Sequence, residues 1–256
     1  MSTSVGSSAL SPHVSESIVP EVAHVYFLFE NLIKIAEIPM PIGLGGMLLV
    51  YGDLDSAGAA VALAGNIAGA ATLGIDSDGS RLKQGVRHGF CDFLVNNLDE
   101  ALRILKNELR KKQPVSVCLE GVLASFLHIF VHRGVQPDIL AFSDENNDSS
   151  ILVERGTIVL QTTPAVDDFL LGVTWEAETR AALWLPKVDA LAAEALPAGD
   201  ARHRWLNFAP RYLGRSLAGK RYLRMTAAEL ETFTGLVESA TAAGEVGTRI
   251  TINTQD

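Results

Sequence analysis

Apolar residues in the first half of the chain follow two alternating patterns. Between Val22 and Ala36 they recur at helical spacing, which predicts an amphipathic helix. Met47–Tyr51 is instead a short continuous apolar run of the kind found in buried parallel strands. The stretch Ala57–Ala71 is rich in Ala and Gly, so a helix there can pack close to a sheet, and Thr72–Ile75 reads as the next strand. The first unit is therefore predicted to be βαβ.

The same alternation continues as far as Phe142. Asn97 and Glu100 form a capping-box pattern at the start of a helix that ends near Lys112, and Gly134 closes a later helix. The helices are predicted over Arg81–Gly89, Asn97–Lys112 and Val122–Arg133, and the strands over Phe90–Val95, Val115–Leu119 and Asp138–Phe142. Strict alternation predicts an α/β fold with a doubly wound, Rossmann-like parallel sheet.

Beyond Ser143 the pattern loosens. A strand is predicted over Thr157–Gln161, helices over Thr174–Leu196 and Ala227–Ala243, and a last strand over Thr248–Ile252. This mixture predicts a smaller α+β appendage at the C-terminus. The chain therefore divides into a disordered Ser-rich leader (1–17), a Rossmann-like domain (18–150) and the mixed region (151–256).

Composition limits the class of protein, the cellular compartment and the partners that this sequence is compatible with. The 256 residues are 48% hydrophobic and 20% charged, enough to bury a core. No apolar run is long enough to cross a membrane, and the leader lacks the regions of a signal peptide, so we predict a cytoplasmic protein. The net charge of −9 argues against a nucleic-acid partner. Cys91 and Cys118 have no ligand spacing and are interpreted as core thiols in a reducing compartment.

Four segments carry a resemblance to a known family. They read LAGNIAGAATLGIDSDGSRLKQGVRHGFCDF (Leu63–Phe93), NNLDEALRIL (Asn96–Leu105), PVSVCLEG (Pro114–Gly121) and RGVQPDILAFSD (Arg133–Asp144). In order and spacing, the stretch from Gly46 to Asp144 resembles the central domain of urocanase, the NAD-dependent hydratase of histidine breakdown. The resemblance implies a Rossmann-like fold, chemistry of the lyase or hydratase type, and self-association as a homodimer or other homo-oligomer.

The resemblance implies a cofactor site only in part. Asp76 stands where the family has an acid resembling a ribose-hydroxyl ligand, and Arg81 matches an arginine that contacts the cofactor. Gly58 is the one matching glycine in the family's phosphate loop, where this chain also has Asp53 and Asp55. Such a loop binds anions through N–H groups and a positive helix end, so two carboxylates oppose a pyrophosphate. We predict that NAD binds weakly or not at all, and the cofactor is left unknown.

Other parts of the family pattern are replaced. Val122 and Leu123 stand in place of an Asn-Ala pair, and Asp144–Ser149 replaces the family's D-Q-T-S-x-H. The nucleophile-bearing C-terminal region of urocanase has no counterpart, and neither Cys91 nor Cys118 inherits its role. We therefore predict that the chain is not a urocanase.

Two other groups of residues have alternative interpretations. His128 and His132 share a helix face but lack a general base and a third ligand, so a surface pair is favoured over a metal site. Seven basic residues lie between Arg202 and Arg224, interleaved with aromatic residues. They could clamp an anion, but an intramolecular or dimer contact to the acidic sheet edge is favoured.

Acidic residues cluster at the predicted C-terminal ends of the strands, where open α/β sheets bind ligands. They are Asp53, Asp55, Asp76, Asp78 and Asp144. We take Asp53 and Asp55 as candidate catalytic residues and expect the edge to bind a cation or an amine, unless Arg81 or the basic run neutralises it. Two hypotheses follow: a diverged enzyme of lyase or hydratase type acting on a small polar metabolite, or a non-catalytic ligand-binding or partner protein that keeps the scaffold.

Overall fold

The computed structural model describes residues 18–35, 43–141, 149–160, 162, 170–217 and 219–255. Within these ranges the main sheet consists of β1 (Leu48–Gly52), β2 (Ala71–Asp76), β3 (Phe93–Val95), β4 (Val115–Glu120), β5 (Ile139–Ala141) and β6 (Ile158–Val159). The strands lie in the order β3-β4-β2-β1-β5-β6, and each neighbouring pair is parallel. The predicted leader, 1–17, lies outside the described residues.

Helices cover both faces of this sheet. One face carries α1 (Val22–Ile35), α2 (Ser56–Ala68) and α3 (Gly79–His88), and the other carries α4 (Leu98–Lys111), α5 (Leu123–Arg133) and α6 (Ser150–Glu154). The predicted doubly wound α/β fold is confirmed. Because β2 lies on one side of β1 and β5 on the other, the strand order reverses at β1, which is where such folds form a ligand crevice.

Local sequence explains where the helices begin and end. The side chain of Asn97 accepts the N–H of Glu100 at 3.0 Å and caps α4, as predicted. Gly134 adopts the left-handed conformation that ends α5. The small residues of α2 bury it from Gly58 to Ala68, and a Cβ on Gly65 would lie 2.8 Å from the Cγ2 atom of Thr72. Close packing of this helix on the sheet therefore depends on its small side chains.

A buried row of polar groups crosses the α2 face of the sheet. Tyr51, Gly74 and Cys118 are in register on three neighbouring strands. The ring of Tyr51 lies over Gly74, and its hydroxyl is 3.8 Å from the Sγ atom of Cys118. Cys91 and Cys118 are both buried and form no disulfide, and a hydrogen bond with Cys118 together with burial raises the pKa of Cys91 well above its ordinary range. The two cysteines are core thiols, as interpreted from the sequence.

The C-terminal region contains a second, antiparallel sheet among the described residues. Its strands are β7 (Leu171–Ala177), β8 (Tyr222–Met225) and β9 (Ile250–Gln255), in the order β8-β7-β9. Its helices are α7 (Ala181–Glu194), α8 (Arg202–Tyr212), α9 (Gly214–Leu217) and α10 (Ala227–Ala242). None of the described helices combines the length and the apolar character needed to span a bilayer.

Two sequence predictions in this region need correction, and some of its elements were not predicted. The helix predicted from Thr174 is wrong at its start, because Val173 and Trp175 alternate inward along strand β7 and the helix begins only at Ala181. The predicted strand Thr157–Gln161 shrinks to β6 and extends the main sheet instead of the appendage. Helix α8 and strand β8 were not predicted, because their polar and basic residues hide the apolar face.

The basic run from Arg202 to Arg224 makes intramolecular contacts, and the ion pairs that the structure describes for it lie away from the acidic sheet edge. Arg202 pairs with Asp200 and Glu229, both at 2.7 Å, and two other ion pairs join Arg221 to Asp189 at 2.8 Å and Arg224 to Glu30 at 3.2 Å. The Nε atom of Arg204 donates to the carbonyl of Ile67 near the end of α2, at 2.9 Å. Arg204 and Arg224 therefore attach the appendage to the parallel domain, whereas Arg202 and Arg221 join elements within the appendage.

Candidate functional site

The acidic residues expected at the sheet edge do meet there. Asp53 follows β1 directly, and Asp76 and Glu120 are opposite each other at the ends of β2 and β4. The loops after β1 and β2 approach each other because their strands are neighbours in the sheet. Asp144 lies outside the described residues.

Asp76 is the centre of this edge, although only 1% of it is exposed. Its Oδ2 atom accepts the N–H of Leu54 at 2.6 Å, and its Oδ1 atom accepts the N–H of Asp78 at 2.7 Å and the Nη2 group of Arg81 at 2.9 Å. The Nε atom of Arg81 lies 2.9 Å from Oδ2. The hydrogen bond to Asp76 raises the pKa of the Arg81 guanidinium above its ordinary value. Asp76 therefore fixes the loops after β1 and β2 from within.

Asp53 and Asp55 have different environments although they are two residues apart. Asp53 has a left-handed backbone, with φ of 55°, and its side chain is 54% exposed and 3.8 Å from Arg81. Asp55 is the N-cap of α2, and its Oδ1 atom accepts the N–H of Gly58 at 2.9 Å. A Cβ on Gly58 would overlap the carbonyl oxygen of Asp53, so the tight loop requires glycine there. A carboxylate thus already occupies the positive end of α2.

Two more carboxylates complete the edge. Asp78 caps α3 by accepting the N–H groups of Ser80 and Arg81, and its side chain is 48% exposed. Glu120 is exposed, and its carboxylate lies so close to α3 that a Cβ on Gly79 would be 3.2 Å from the Oε2 atom. Sequence reasoning missed Glu120, although its place at the end of a buried strand gave the same signal as Asp76.

The structure brings the predicted site residues into two groups. Asp53 and Asp76 gather around Arg81, while Asp55 and Gly58 belong to the start of α2. The catalytic role of Asp53 and Asp55 stays a prediction. Across the described residues, no group of three or more His, Cys, Asp or Glu side chains is placed to hold a metal ion. His128 and His132 are exposed on the surface of α5.

The fold and the site define a Rossmann-like α/β domain whose strand ends are acidic and internally bonded. Residues 28–146 match the family model of the urocanase Rossmann-like domain, which supports a urocanase-family Rossmann-like domain in this part of the chain. The match covers most of α1 and runs past β5, and it leaves the appendage outside.

The residues of this edge do not fit the dinucleotide that the fold family implies. A pyrophosphate would need the amides at the start of α2, but Asp55 already accepts the N–H of Gly58 there. A ribose hydroxyl would need a carboxylate oxygen of Asp76, but two backbone N–H groups and Arg81 engage both oxygens. Binding in the usual manner would require both sets of hydrogen bonds to break.

Proposed function

We propose that this protein binds a small polar metabolite at the acidic edge of its urocanase-type domain and works without a dinucleotide. Two groups would have to hold a dinucleotide, Asp76 and the amides at the start of α2, and we call them the dinucleotide anchors. The proposal rests on the observation that Arg81 already pairs with Asp76 and that Asp55 already accepts a hydrogen bond at the start of α2. Each of these internal hydrogen bonds is charge-assisted, and breaking one costs about 1.5–3 kcal/mol. A dinucleotide therefore binds weakly, whereas a ligand that leaves both internal hydrogen bonds intact binds without this loss of free energy.

An amine-bearing metabolite suits the charges at this edge. Asp53 and Asp78 lie within 4 Å of Arg81, whose charge is already matched by buried Asp76, and Glu120 lies beside the start of α3. The excess of negative charge attracts an ammonium or guanidinium group and repels a phosphate. The edge includes the loop after β1, where the strand order reverses and where folds of this kind bind ligands.

A thermal-shift screen of small amines tests this proposal. An amine that binds only the folded protein raises the melting temperature with concentration. Asp53→Asn keeps a side chain that tolerates the left-handed backbone but removes the charge, so it should reduce the shift. The matched control is Asp99→Asn, because Asp99 is an exposed carboxylate on α4 that pairs with Arg133. If no amine stabilises the protein, or if both variants respond like the unmodified chain, the proposed ligand class is wrong.

Calorimetric titration with NAD tests the other half of the proposal. We expect no binding at the micromolar level, because the anchors are occupied. Exchanging both Asp53 and Asp55 for glycine should strengthen NAD binding, since it frees the N–H of Gly58 and removes two negative charges. Micromolar NAD binding by the unmodified protein would contradict the proposal that the protein works without a dinucleotide.

A diverged hydro-lyase is the second candidate, and Asp53 is the observation that favours it. Its carboxylate is more than half exposed, 3.8 Å from Arg81, on a left-handed backbone that loops at functional sites often contain. In such a reaction Asp53 would accept or return a proton, and Arg81 would stabilise developing negative charge. We propose that the substrate is not urocanate, so the near-ultraviolet absorbance of urocanate should stay constant with the pure protein.

The proposal also covers the cellular location of the protein and its partners. We propose a cytoplasmic location, supported by the buried free thiols of Cys91 and Cys118. We also propose that nucleic acid is not a partner, since the net charge is −9 and Arg202, Arg221 and Arg224 of the basic run have internal partners.

A further inference from the structure

Strand β9 forms one edge of the small sheet, and among the described residues only β7 pairs with it. The N–H of Glu178 donates to the carbonyl of Arg249 at 3.0 Å, in continuation of the β7 register. In an antiparallel pair, inward and outward backbone groups alternate along the strand. Arg249, Thr251, Asn253 and Gln255 therefore direct their backbone groups at β7, while Ile250, Ile252 and Thr254 direct theirs outward.

These outward groups match a second copy of the same strand. If two β9 strands run antiparallel with Ile252 opposite Ile252, then Ile250 of each faces Thr254 of the other. All three outward residues then form hydrogen-bonded pairs, which satisfies every N–H and carbonyl along this edge. In this register the core-facing side chains of both copies lie on the same face of the joined sheet, because residues opposite one another point to the same face.

The side chains of β9 permit this pairing. The strand carries no charge, no proline and no bulge, the devices by which proteins usually protect an edge. Ile250 and Ile252 are partly buried on the core face, and Thr251 and Asn253 are exposed on the other. The sequence has a cation, Arg249, before the strand and a carboxylate, Asp256, after it, and antiparallel pairing brings opposite ends together.

A cavity of about 660 Å³ lies beside the start of β9, lined among others by Val237, Thr241, Val246 and Ile250. In the self-paired register, Thr254 of a second copy arrives next to Ile250, at the rim of this cavity. We propose that two copies of the chain join through β9, with Ile252 on the two-fold axis, to form one continuous six-stranded antiparallel sheet.

Site-directed cross-linking tests this register on the full chain. Thr251 and Asn253 would face each other across the axis as a pair without hydrogen bonds, with Cα atoms about 4.5 Å apart, which suits a disulfide. A mixture of Thr251→Cys and Asn253→Cys proteins should give a linked dimer under mild oxidation. Neither variant should link to itself, and Cys91 and Cys118 are buried. Self-linking of either variant, or no link in the mixture, would overturn the proposal.

Charge variants give a second test that does not depend on oxidation. Sedimentation should show the unmodified chain as a dimer. The double variant Thr251→Lys, Asn253→Lys places like charges opposite each other twice and should be monomeric, whereas Thr251→Lys, Asn253→Glu places opposite charges there and should stay dimeric. Circular dichroism spectra that match the spectrum of the unmodified chain would show that both variants fold. A monomeric parent, or the same assembly state for both variants, would refute the β9 interface.

Discussion

Arg81 is the residue whose loss should most disturb the acidic edge. It neutralises Asp76, which is almost fully buried, so Arg81→Met leaves an uncompensated buried carboxylate. We expect the free energy of unfolding to fall by about 2–3 kcal/mol. The control is Arg133→Met, because Arg133 pairs with Asp99 on the surface, where such a pair contributes about 0–1 kcal/mol. Urea denaturation measures both, and equal losses would show that Asp76 does not depend on Arg81.

Gly74 is required by the Tyr51 ring that lies over it. A Cβ on Gly74 would overlap the Tyr51 hydroxyl, so Gly74→Ala should destabilise the protein by about 1–3 kcal/mol. Combining it with Tyr51→Leu should cost less than the sum of the two single changes. Gly235→Ala is the control, since Gly235 is exposed inside α10 with nothing within 4 Å, and it should stabilise by about 0.5–1 kcal/mol. Additive losses at Gly74 and Tyr51 would contradict the steric explanation.

The placement of the acidic residues could be predicted from the sequence, but their bonding could not. Asp53, Asp76 and Asp78 follow strand patterns, and parallel strands bring their carboxyl ends to one edge. That Asp76 is buried against Arg81 depends on side-chain conformations that only the packed loops select. The sequence therefore located the acidic edge, while the bonding of Asp76 within it had to be seen in the structure.

Elements with strong local signals matched their predictions, whereas strand β7 and its partner β8 in the appendage were missed. The helix capped by Asn97 was confirmed, because the cap and the apolar spacing are both local. The second half of strand β7, from Thr174, was predicted as helix because the residues that follow it are rich in Ala, and its partners β8 and β9 come much later in the chain. Pairing between strands that are so far apart in the sequence leaves no recognisable pattern within a short stretch of residues.

The elements of the appendage are joined by Arg202, and this contact predicts a pH dependence. Burial alone would raise the pKa of Asp200, but hydrogen bonds from Arg202 outweigh it and lower that pKa. Hydrogen bonds from Arg202 also lower the pKa of Glu229. Lowered acid pKa values stabilise the fold above the ordinary values of 3.8 and 4.5, and this stabilisation is lost as pH falls below them.

Arg202→Met should therefore weaken the protein most near neutral pH. We expect a loss of about 2–3 kcal/mol at about pH 7, which shrinks as pH falls through 4.5 towards 3. Asp189 provides the contrast: burial raises its pKa despite Arg221, so its contribution weakens as pH rises, and Arg202→Met should not change it. Urea denaturation at a series of pH values measures the difference. A loss independent of pH would show that Arg202 acts through packing alone.

At the scale of the whole molecule, the appendage and the parallel domain share one hydrophobic core. A single cluster of buried side chains runs from α1 and α2 to Trp175, Trp205 and Phe233 in the C-terminal region. The ring of Tyr26 on α1 packs edge-on against Trp205 at 4.9 Å between centroids. The division of the chain near residue 150 stays a prediction, since a shared core can join two units that differ in origin.

This shared core predicts that the whole chain unfolds in one cooperative transition. All three tryptophans, Trp175, Trp184 and Trp205, lie in the C-terminal region, so their fluorescence reports on the appendage. Cys91 and Cys118 are the only cysteines and are buried in the parallel domain, so their labelling by a thiol reagent reports on that domain. Because α8 and β8 cover α1 and α2, exposure of the thiols should require loss of the appendage as well.

Tryptophan fluorescence and thiol labelling should therefore give the same midpoint in urea. Trp205→Ala, which removes a buried ring from the shared core, should lower both midpoints equally. If fluorescence changed at a lower urea concentration than thiol labelling, or if Trp205→Ala shifted the fluorescence midpoint alone, the appendage would be a separate folding unit.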